Sequence, residues 1–322
     1  MRKASALIAT AALLAAALTG CSAPGTAAAD CKAPVKSGAA SELIDVTGDF
    51  GTAPTVDFPT PLKTKTTQRT QIIEGSGDPL VKNQMVTVDF SVYNGTSGKL
   101  IEATGYDGEK AATLVLNDST MKGLVDGLLC TQVGERVAVA VSPADGFGPQ
   151  GGQEQLGVAA TDSLVFVMDV VKAYLPRANG KDQPVASGLP SVVLDKDGAP
   201  GITIPSGAAP TKLTIGVLKK GNGAEVKEGD TVTVQYTGVV WDTKKVFDSS
   251  WEKGTPAQFV AADGSKVQGG VITGFADALI GQTVGSQIIA VIPPDQGYGD
   301  QESATIPANS TLVFVVDILG VN

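Results

Sequence analysis

The polar groups in this chain that suit a binding or catalytic cleft stand among aromatic residues. Val234-Gln235-Tyr236-Thr237-Gly238 sets a phenol in an alternating run, Lys245-Val246-Phe247-Asp248-Ser249-Ser250 sets a carboxylate beside a phenyl ring, and Gly297-Tyr298-Gly299 holds a second phenol between glycines. Taken singly, each has a plain alternative. Tyr236, Phe247 and Phe314 fit as core aromatics, Gly297-Tyr298-Gly299 as a turn, and Asp248 as a residue that ends a strand. The chain contains no histidine. That excludes histidine-based triads, HExxH zinc sites and an imidazole base. Asp295, Asp300 and Glu302 are close enough in sequence to suggest paired carboxylates for glycoside hydrolysis, but their setting fits an exposed acidic rim better. Gly75-Ser76-Gly77 and Gly221-Asn222-Gly223 lack a third glycine and lead into strands, so they are turns and not dinucleotide loops. No Gly-Lys-Ser/Thr follows Gly269-Gly270 to make a phosphate loop. The net charge of -9 makes nucleic acid an unsuitable partner.

The elements that must position these groups read mostly as strands. Thr231 to Tyr236 alternates, with Val232, Val234 and Tyr236 on one face, and Gln287–Ile292 and Thr311–Leu319 are β-branched and apolar. One short helix fits between Gly274 and Gly281, with Phe275, Ala278 and Leu279 on one side. The expected class is α+β, a sheet wrapped over one helix. The chain also repeats itself. Pro54 and Pro200, Phe58-Pro59 and Ile204-Pro205, and Val86-Thr87-Val88 and Val232-Thr233-Val234 are each 146 residues apart. The spacing becomes 151 between Gly146-Phe147-Gly148 and Gly297-Tyr298-Gly299, then 148 between Leu164-Val165-Phe166 and Leu312-Val313-Phe314. Drift of this size is what loop insertions and deletions produce, and the period is too long for a solenoid. Two copies of one domain are expected, at 43–175 and 189–322, joined by a linker at 176–188 that is rich in turn-forming residues.

Six segments of the second copy, in order, resemble the FKBP-type peptidyl-prolyl cis/trans isomerase family. They are the two around Tyr236 and Phe247, then Gly270-Val271-Ile272-Thr273-Gly274-Phe275, Pro293-Pro294-Asp295-Gln296-Gly297-Tyr298-Gly299, Ile306-Pro307 and Ser310-Thr311-Leu312-Val313-Phe314. The resemblance covers about a hundred residues. It implies a half-wrapped antiparallel sheet over a short helix, with an apolar proline pocket between them. The matching pocket residues are Tyr236, Phe247, Asp248, Phe259, Val271, Ile272, Phe275, Tyr298, Ile306 and Phe314. It implies that Phe275 forms the floor, where the family usually has Trp, and that the Ile272 N–H and the Tyr298 hydroxyl hold substrate carbonyls. Lys253 stands where Arg is frequent, Ala257 where Phe is frequent, and extra residues lengthen the loop at Ala262–Gly269. No cofactor or metal is implied, and macrolide inhibitors are implied as competitors. Laid over the first copy, the same alignment sets Phe90, Ile101, Glu102, Thr120, Met121, Leu124, Phe147 and Phe166 at the pocket positions. The framework survives there while most of the pocket chemistry does not, so that copy is expected to be degenerate.

At the N-terminus, Arg2 and Lys3 precede an apolar run from Ala6 to Leu18 that is short for a membrane span. Leu18-Thr19-Gly20-Cys21 looks like a lipoprotein lipobox. Residues 1–20 are therefore expected to be a signal peptide, Cys21 to be lipidated, and 21–42 to form a flexible stalk. An ordinary cleaved signal peptide or an uncleaved anchor are the plainer alternatives. The remaining two cysteines, Cys31 and Cys130, are expected to pair once outside the cytoplasm. The resulting expectation is a monomeric isomerase, lipid-anchored at the outer face of a bacterial cell membrane, acting on proline-containing exported polypeptides. The alternative is a non-catalytic peptide-binding module or chaperone.

Overall fold

The computed structural model describes residues 31–106 and 110–322. The predicted signal peptide and Cys21 lie outside the described residues. Cys31 and Cys130 are joined by a disulfide, with Cα atoms 5.6 Å apart.

The first half contains the hairpin β1 (Asp45–Thr47) and β2 (Thr55–Asp57), then β3 (Gln68–Ile73), β4 (Met85–Asn94), β5 (Leu100–Ala103), β6 (Ala112–Val115), α1 (Lys122–Leu128) and β7 (Arg136–Val141). The short pair β8 (Gly152–Gln153) and β9 (Val158–Ala159) precedes β10 (Leu164–Ala173). The second half repeats the sheet strands and the helix in this order, with one strand and one helical turn added and, among the described residues, no counterpart of the β8–β9 pair. It has β11 (Lys181–Asp182), the hairpin β12 (Ser191–Leu194) and β13 (Pro200–Thr203), β14 (Thr214–Lys220), β15 (Thr231–Val240), β16 (Val246–Ser249), α2 (Ser250–Lys253), β17 (Ala257–Val260), α3 (Thr273–Leu279), β18 (Gln287–Ile292) and β19 (Leu312–Val321). Both sheets are antiparallel. The first runs β3-β7-β10-β4-β5 with β6 on β4, and the second runs β11-β14-β18-β19-β15-β16 with β17 on β15. The sheet-over-helix arrangement and its duplication both match the expectation.

Each sheet grips its helix through a glycine. A Cβ on Gly123 would lie 2.3 Å from Val141 Cγ1, and one on Gly274 would lie 2.5 Å from Ile292 Cγ2. Any larger residue would push the helix off the sheet, and the floor residue of the pocket with it. The inner core then fills from both sides, with Val137, Val139, Phe166 and Met168 under α1 and Ile288, Ala290, Phe314 and Val316 under α3.

The opposite face of each sheet is covered as well, which the expected two-layer fold did not include. Ala138, Ala140 and Val165 pack on Ile44 and Leu62 from the N-terminal arm. Ile289, Val291, Val313 and Val315 pack on Ile204, Trp241, Leu189 and Val192. This explains why β7 and β18 are buried at every position. A continuous apolar run is what a strand covered on both faces requires. Each such aliphatic side chain contributes roughly 1.5–3 kcal/mol, so the arms are part of the fold.

Two expected boundaries change accordingly. The stalk was expected to extend to residue 42, but Arg69 N–H donates to Lys36 O (3.0 Å), Ala40 N–H donates to Gln68 Oε1 (2.8 Å), and Ser41 is fully buried. The linker at 176–188 is also docked. Ala178 N–H donates to Asp317 Oδ2 (2.8 Å), Gly180 N–H to Gly285 O (2.9 Å), and β11 pairs with β14. Polar, glycine-containing composition marks these segments as irregular; their backbone groups still find partners on the sheets.

The two halves touch along the chain that joins them. Tyr174 N–H donates to Met85 O and Leu175 N–H to Leu319 O, both at 3.0 Å, while Met85, Val115, Tyr174 and Leu319 form one apolar cluster. Lys172 Nζ donates to Val321 O (2.9 Å). Among the described residues no helix is long and apolar enough to cross a membrane.

Candidate active site

The site is built from strands that converge over α3. β15 contributes Tyr236, β16 contributes Phe247 and Asp248, β17 contributes Phe259, and β19 contributes Phe314. Val271 and Ile272 lead into α3, which carries Phe275, and Tyr298 follows β18 in a glycine-flanked loop. Together these nine residues line a cavity of about 560 Å³. That volume suits a proline ring with its flanking backbone. Ile306, the tenth expected residue, lies elsewhere. It is buried in the same core and lines a smaller neighbouring groove with Tyr298, Gln301 and Ser303. Its loop, outside any strand, carries it past the cavity wall and into the core beside that groove.

The rings meet edge to face. Phe275 lies 4.8 Å from Phe314, 5.8 Å from Phe259 and 6.2 Å from Tyr236, and Phe247 stands 5.4 Å from Phe314 (centroid distances). Such pairs are worth about 0.5–1.5 kcal/mol beyond their buried area, and they fix ring orientation. Gly238 is the residue that sequence reasoning passed over. A Cβ there would lie 2.4 Å from Phe247 Cζ, and the β15–β16 register shifts between Gly238 and Val239. The bulge and the missing side chain together let the Phe247 ring lie across the strand. Gly238 pairs with Asp248, and the shift leaves Phe247 unpaired so that its ring falls over the glycine; the sequence signal is a glycine in an otherwise apolar strand.

The polar groups on the cavity's aromatic wall divide into bonded and free ones. Tyr236 Oη donates to Asp248 Oδ2 at 2.5 Å, and Lys253 Nζ pairs with Asp248 Oδ1. Burial pushes the Asp248 carboxyl up, but the bonds from Lys253 and Tyr236 outweigh it and hold the group below the usual carboxylate range. Asp248 is therefore ionised at neutral pH and accepts hydrogen bonds. Burial, then the bond to Asp248, raises the Tyr236 phenol well above its ordinary value. Burial and the nearby Asp248 charge raise Tyr298 as well. Both phenols thus stay protonated and donate. Tyr298 is 44% exposed and its hydroxyl has no partner among the described residues, so it is free to meet a ligand. The Ile272 N–H likewise has no acceptor among the described residues. Two further hydroxyls set the backbone, since Tyr236 N–H donates to Ser250 Oγ (2.8 Å) and Glu252 N–H to Ser249 Oγ (3.4 Å), which caps α2.

The first half diverges at these points. Phe90 N–H still donates to a hydroxyl, Thr104 Oγ1, at 3.0 Å. Val92 fills the place of Gly238, beside Ile101 in place of Phe247, and Glu102 is exposed. Tyr106 turns to the other face of the sheet, where its hydroxyl meets Ser91 Oγ (3.2 Å) and its ring lies under Arg136. A groove of about 570 Å³ on this half takes in Thr120, Met121 and Phe147, and its lining mixes Val125, Leu129 and Pro149 with charged and polar residues such as Lys82, Asp118 and Gln150.

The family described as FKBP-type peptidyl-prolyl cis-trans isomerase matches residues 77–171 and 223–319, together more than half of the chain. The probable FK506-binding protein of Corynebacterium glutamicum is 37% identical over 120 residues, which cover 37% of this chain and 96% of that one. The FK506-binding protein of Streptomyces anulatus is 36% identical over 124 residues, 38% of this chain and 96% of that one. Among solved structures, the three FKBP domains of wheat FKBP73 align at 22% identity over 80% of this chain and 94% of theirs, with a TM-score of 0.36. Escherichia coli FkpA aligns at 34% identity over 42% of this chain and 53% of its own, with a TM-score of 0.31. With its pattern matched twice, this chain belongs to the FKBP-type peptidyl-prolyl cis-trans isomerase family.

Proposed function

We propose that the second domain is the working isomerase and that Tyr236, Phe247, Asp248, Phe259, Val271, Ile272, Phe275, Tyr298 and Phe314 carry the reaction, with Ile306 in the neighbouring groove. The observation that supports this most is the aromatic cavity floored by Phe275 with two unpaired donors, Tyr298 Oη and Ile272 N–H, at its edge. Rotation about a peptide bond faces a barrier of ~18–20 kcal/mol because amide resonance is lost on the way. In the twisted state the amide has also lost its charge separation. An apolar cavity therefore disfavours the planar ground state relative to it. Fixed donors on the flanking carbonyls hold the twisted geometry. Asp248 orients Tyr236 and transfers no proton. Phe275 offers a smaller platform than indole and no N–H, which bears on affinity more than on the chemistry.

The first domain, with Leu124 at the floor position and Phe147 in place of the Tyr298 phenol, serves as a holding or spacing element. The apolar run at Ala6–Leu18 and the Leu18-Thr19-Gly20-Cys21 segment support a reading in which the chain works outside the cytoplasm, anchored through Cys21, on exported polypeptides. An X–Pro peptide assay on the full chain tests the catalytic reading. Tyr298→Phe lowers kcat/KM about fivefold, the loss of one hydrogen bond; an unchanged rate removes Tyr298 from the machinery. Cys21→Ser tests the anchor, since it releases the protein from the membrane fraction if the lipid holds it there.

A further inference from the structure

We infer that Asn117, in the first domain, is a positioning residue for the second domain's proline pocket. The inference rests on the isomerase reading given above. Asn117 is buried to 8% exposure in the turn after β6. Its Oδ1 is committed to its own loop, accepting from Ser119 N–H (3.0 Å) and Ser119 Oγ (2.6 Å). Its amide nitrogen leaves the domain and donates to Gly254 O at 2.7 Å, with Thr255 Oγ1 at 3.4 Å. Gly254 caps α2 in the left-handed conformation, with φ of 66°. The residue before it is Lys253, whose ammonium holds Asp248, and Asp248 in turn accepts from Tyr236 in the cavity wall. The path from the first domain to the pocket is therefore one hydrogen bond, one peptide unit and one ion pair.

The need for an outside prop follows from the geometry of α2. It is a single turn of four residues, too short to be stable without tertiary support. Its N-terminus is tied down by Ser249 and Ser250, and the Ser250 and Trp251 carbonyls accept within the turn, whereas Gly254 O at its C-terminal end accepts from the first domain. Asn117 supplies a donor there. Trp251, on the same turn, is half-buried where a Cβ on Gly198 would come within 3.2 Å of its ring, so the turn is flanked on two sides. Lys253 is 62% exposed, so its ammonium is held only by its ion pair with Asp248 and by where the backbone of this turn starts its side chain. A shift of the turn loosens the ion pair, and with it the orientation of Tyr236.

The test uses the full chain and a double-mutant cycle in the X–Pro assay. Asn117→Asp retains the oxygen that organises Ser119 and replaces the donor with an acceptor facing Gly254 O. Asn117→Ser shortens the side chain so that its hydroxyl no longer spans to Gly254 O, without adding charge. Both are expected to lower kcat/KM about fivefold, one hydrogen bond's worth. Lys253→Met is expected to lower it as well, and adding either Asn117 variant to Lys253→Met should change nothing further. Lys172→Met, which cuts a domain contact remote from Gly254, should leave the rate at the parent level. If the Asn117 and Lys253 losses multiply, or if Lys172→Met matches Asn117→Ser, the coupling is general and the inference falls. An active parent with unaffected Asn117 variants overturns the inference alone, whereas an inactive parent overturns the isomerase reading with it.

Discussion

The two domains have one architecture and opposite arrangements of charge. In each, an aspartate interrupts the apolar last strand, Asp169 in β10 and Asp317 in β19, and accepts an N–H from the arm that crosses the outer face of the sheet, Gly51 N–H or Ala178 N–H, both at 2.8 Å. In the first domain Asp169 is paired with Arg136, which is fully buried and also donates to Gly48 O (2.9 Å) and Thr52 O (2.8 Å). In the second domain the partner is neutral, Gln287 Nε2 at 2.6 Å. The first domain concentrates its polar groups on the outer face and lets its pocket fill with Val92, Ile101 and Leu124. The second keeps its polar groups at the pocket, where Tyr236, Asp248 and Lys253 are set. A shared fold hosts either arrangement because the antiparallel order and the glycine-mediated helix contact are the same in both.

The comparison breaks most sharply at Arg136. Arg136→Met strands the buried Asp169 carboxylate and two arm carbonyls and should cost the first domain about 3–5 kcal/mol in denaturant unfolding. The matching change in the second domain, Gln287→Leu, removes one hydrogen bond to a buried carboxylate and should cost about 1–3 kcal/mol. Equal costs would mean that the ion pair is not what clamps the first arm. The disulfide gives the next effect. It closes a loop with a sequence separation of 99 residues, so reduction should destabilise the first domain by on the order of 2–4 kcal/mol while the proline assay is unchanged. A parallel loss of isomerase activity would show that the pocket depends on the first arm.

The smallest effect concerns pH. Burial raises the Asp317 carboxyl to about 6, against the bonds from Ala178 and Gln287 that lower it. Its folded value lies above the unfolded one, so its contribution is complete below pH ~4 and is lost as pH rises through about 6. The second domain should therefore gain on the order of 1 kcal/mol between pH 7 and pH 5. Asp317→Asn should abolish that gain, and a pH-dependent gain that persists in the variant would assign it to another group.

Much of this was legible in the residues. The duplicated landmarks gave two copies, the period-two alternation of Thr231–Tyr236 gave a strand, and the glycine-bounded Gly274–Gly281 segment gave the helix. Nine of the ten expected site residues converge on one cavity. What stayed hidden had physical reasons. Arms of mixed composition show no periodicity, because they lie flat on a sheet and bury single side chains such as Ile44 and Ile204. An aspartate inside an apolar strand does not announce its partner, since Arg136 and Ala178 come from distant parts of the chain. Ile306 sits in a loop, where alignment spacing locates the backbone but not the direction of the side chain.

The central claim is that catalysis belongs to the second pocket and not to the first. The most direct test is the X–Pro assay on the full chain carrying Phe275→Leu and Tyr298→Phe together, which gives the second pocket the first domain's residues at those two positions, beside Leu124→Ala in the first domain. The paired variant, still folded by circular dichroism, should fall to near the uncatalysed rate while Leu124→Ala keeps the parent rate. Activity that survives the paired change, or that is lost with Leu124→Ala, would contradict that claim.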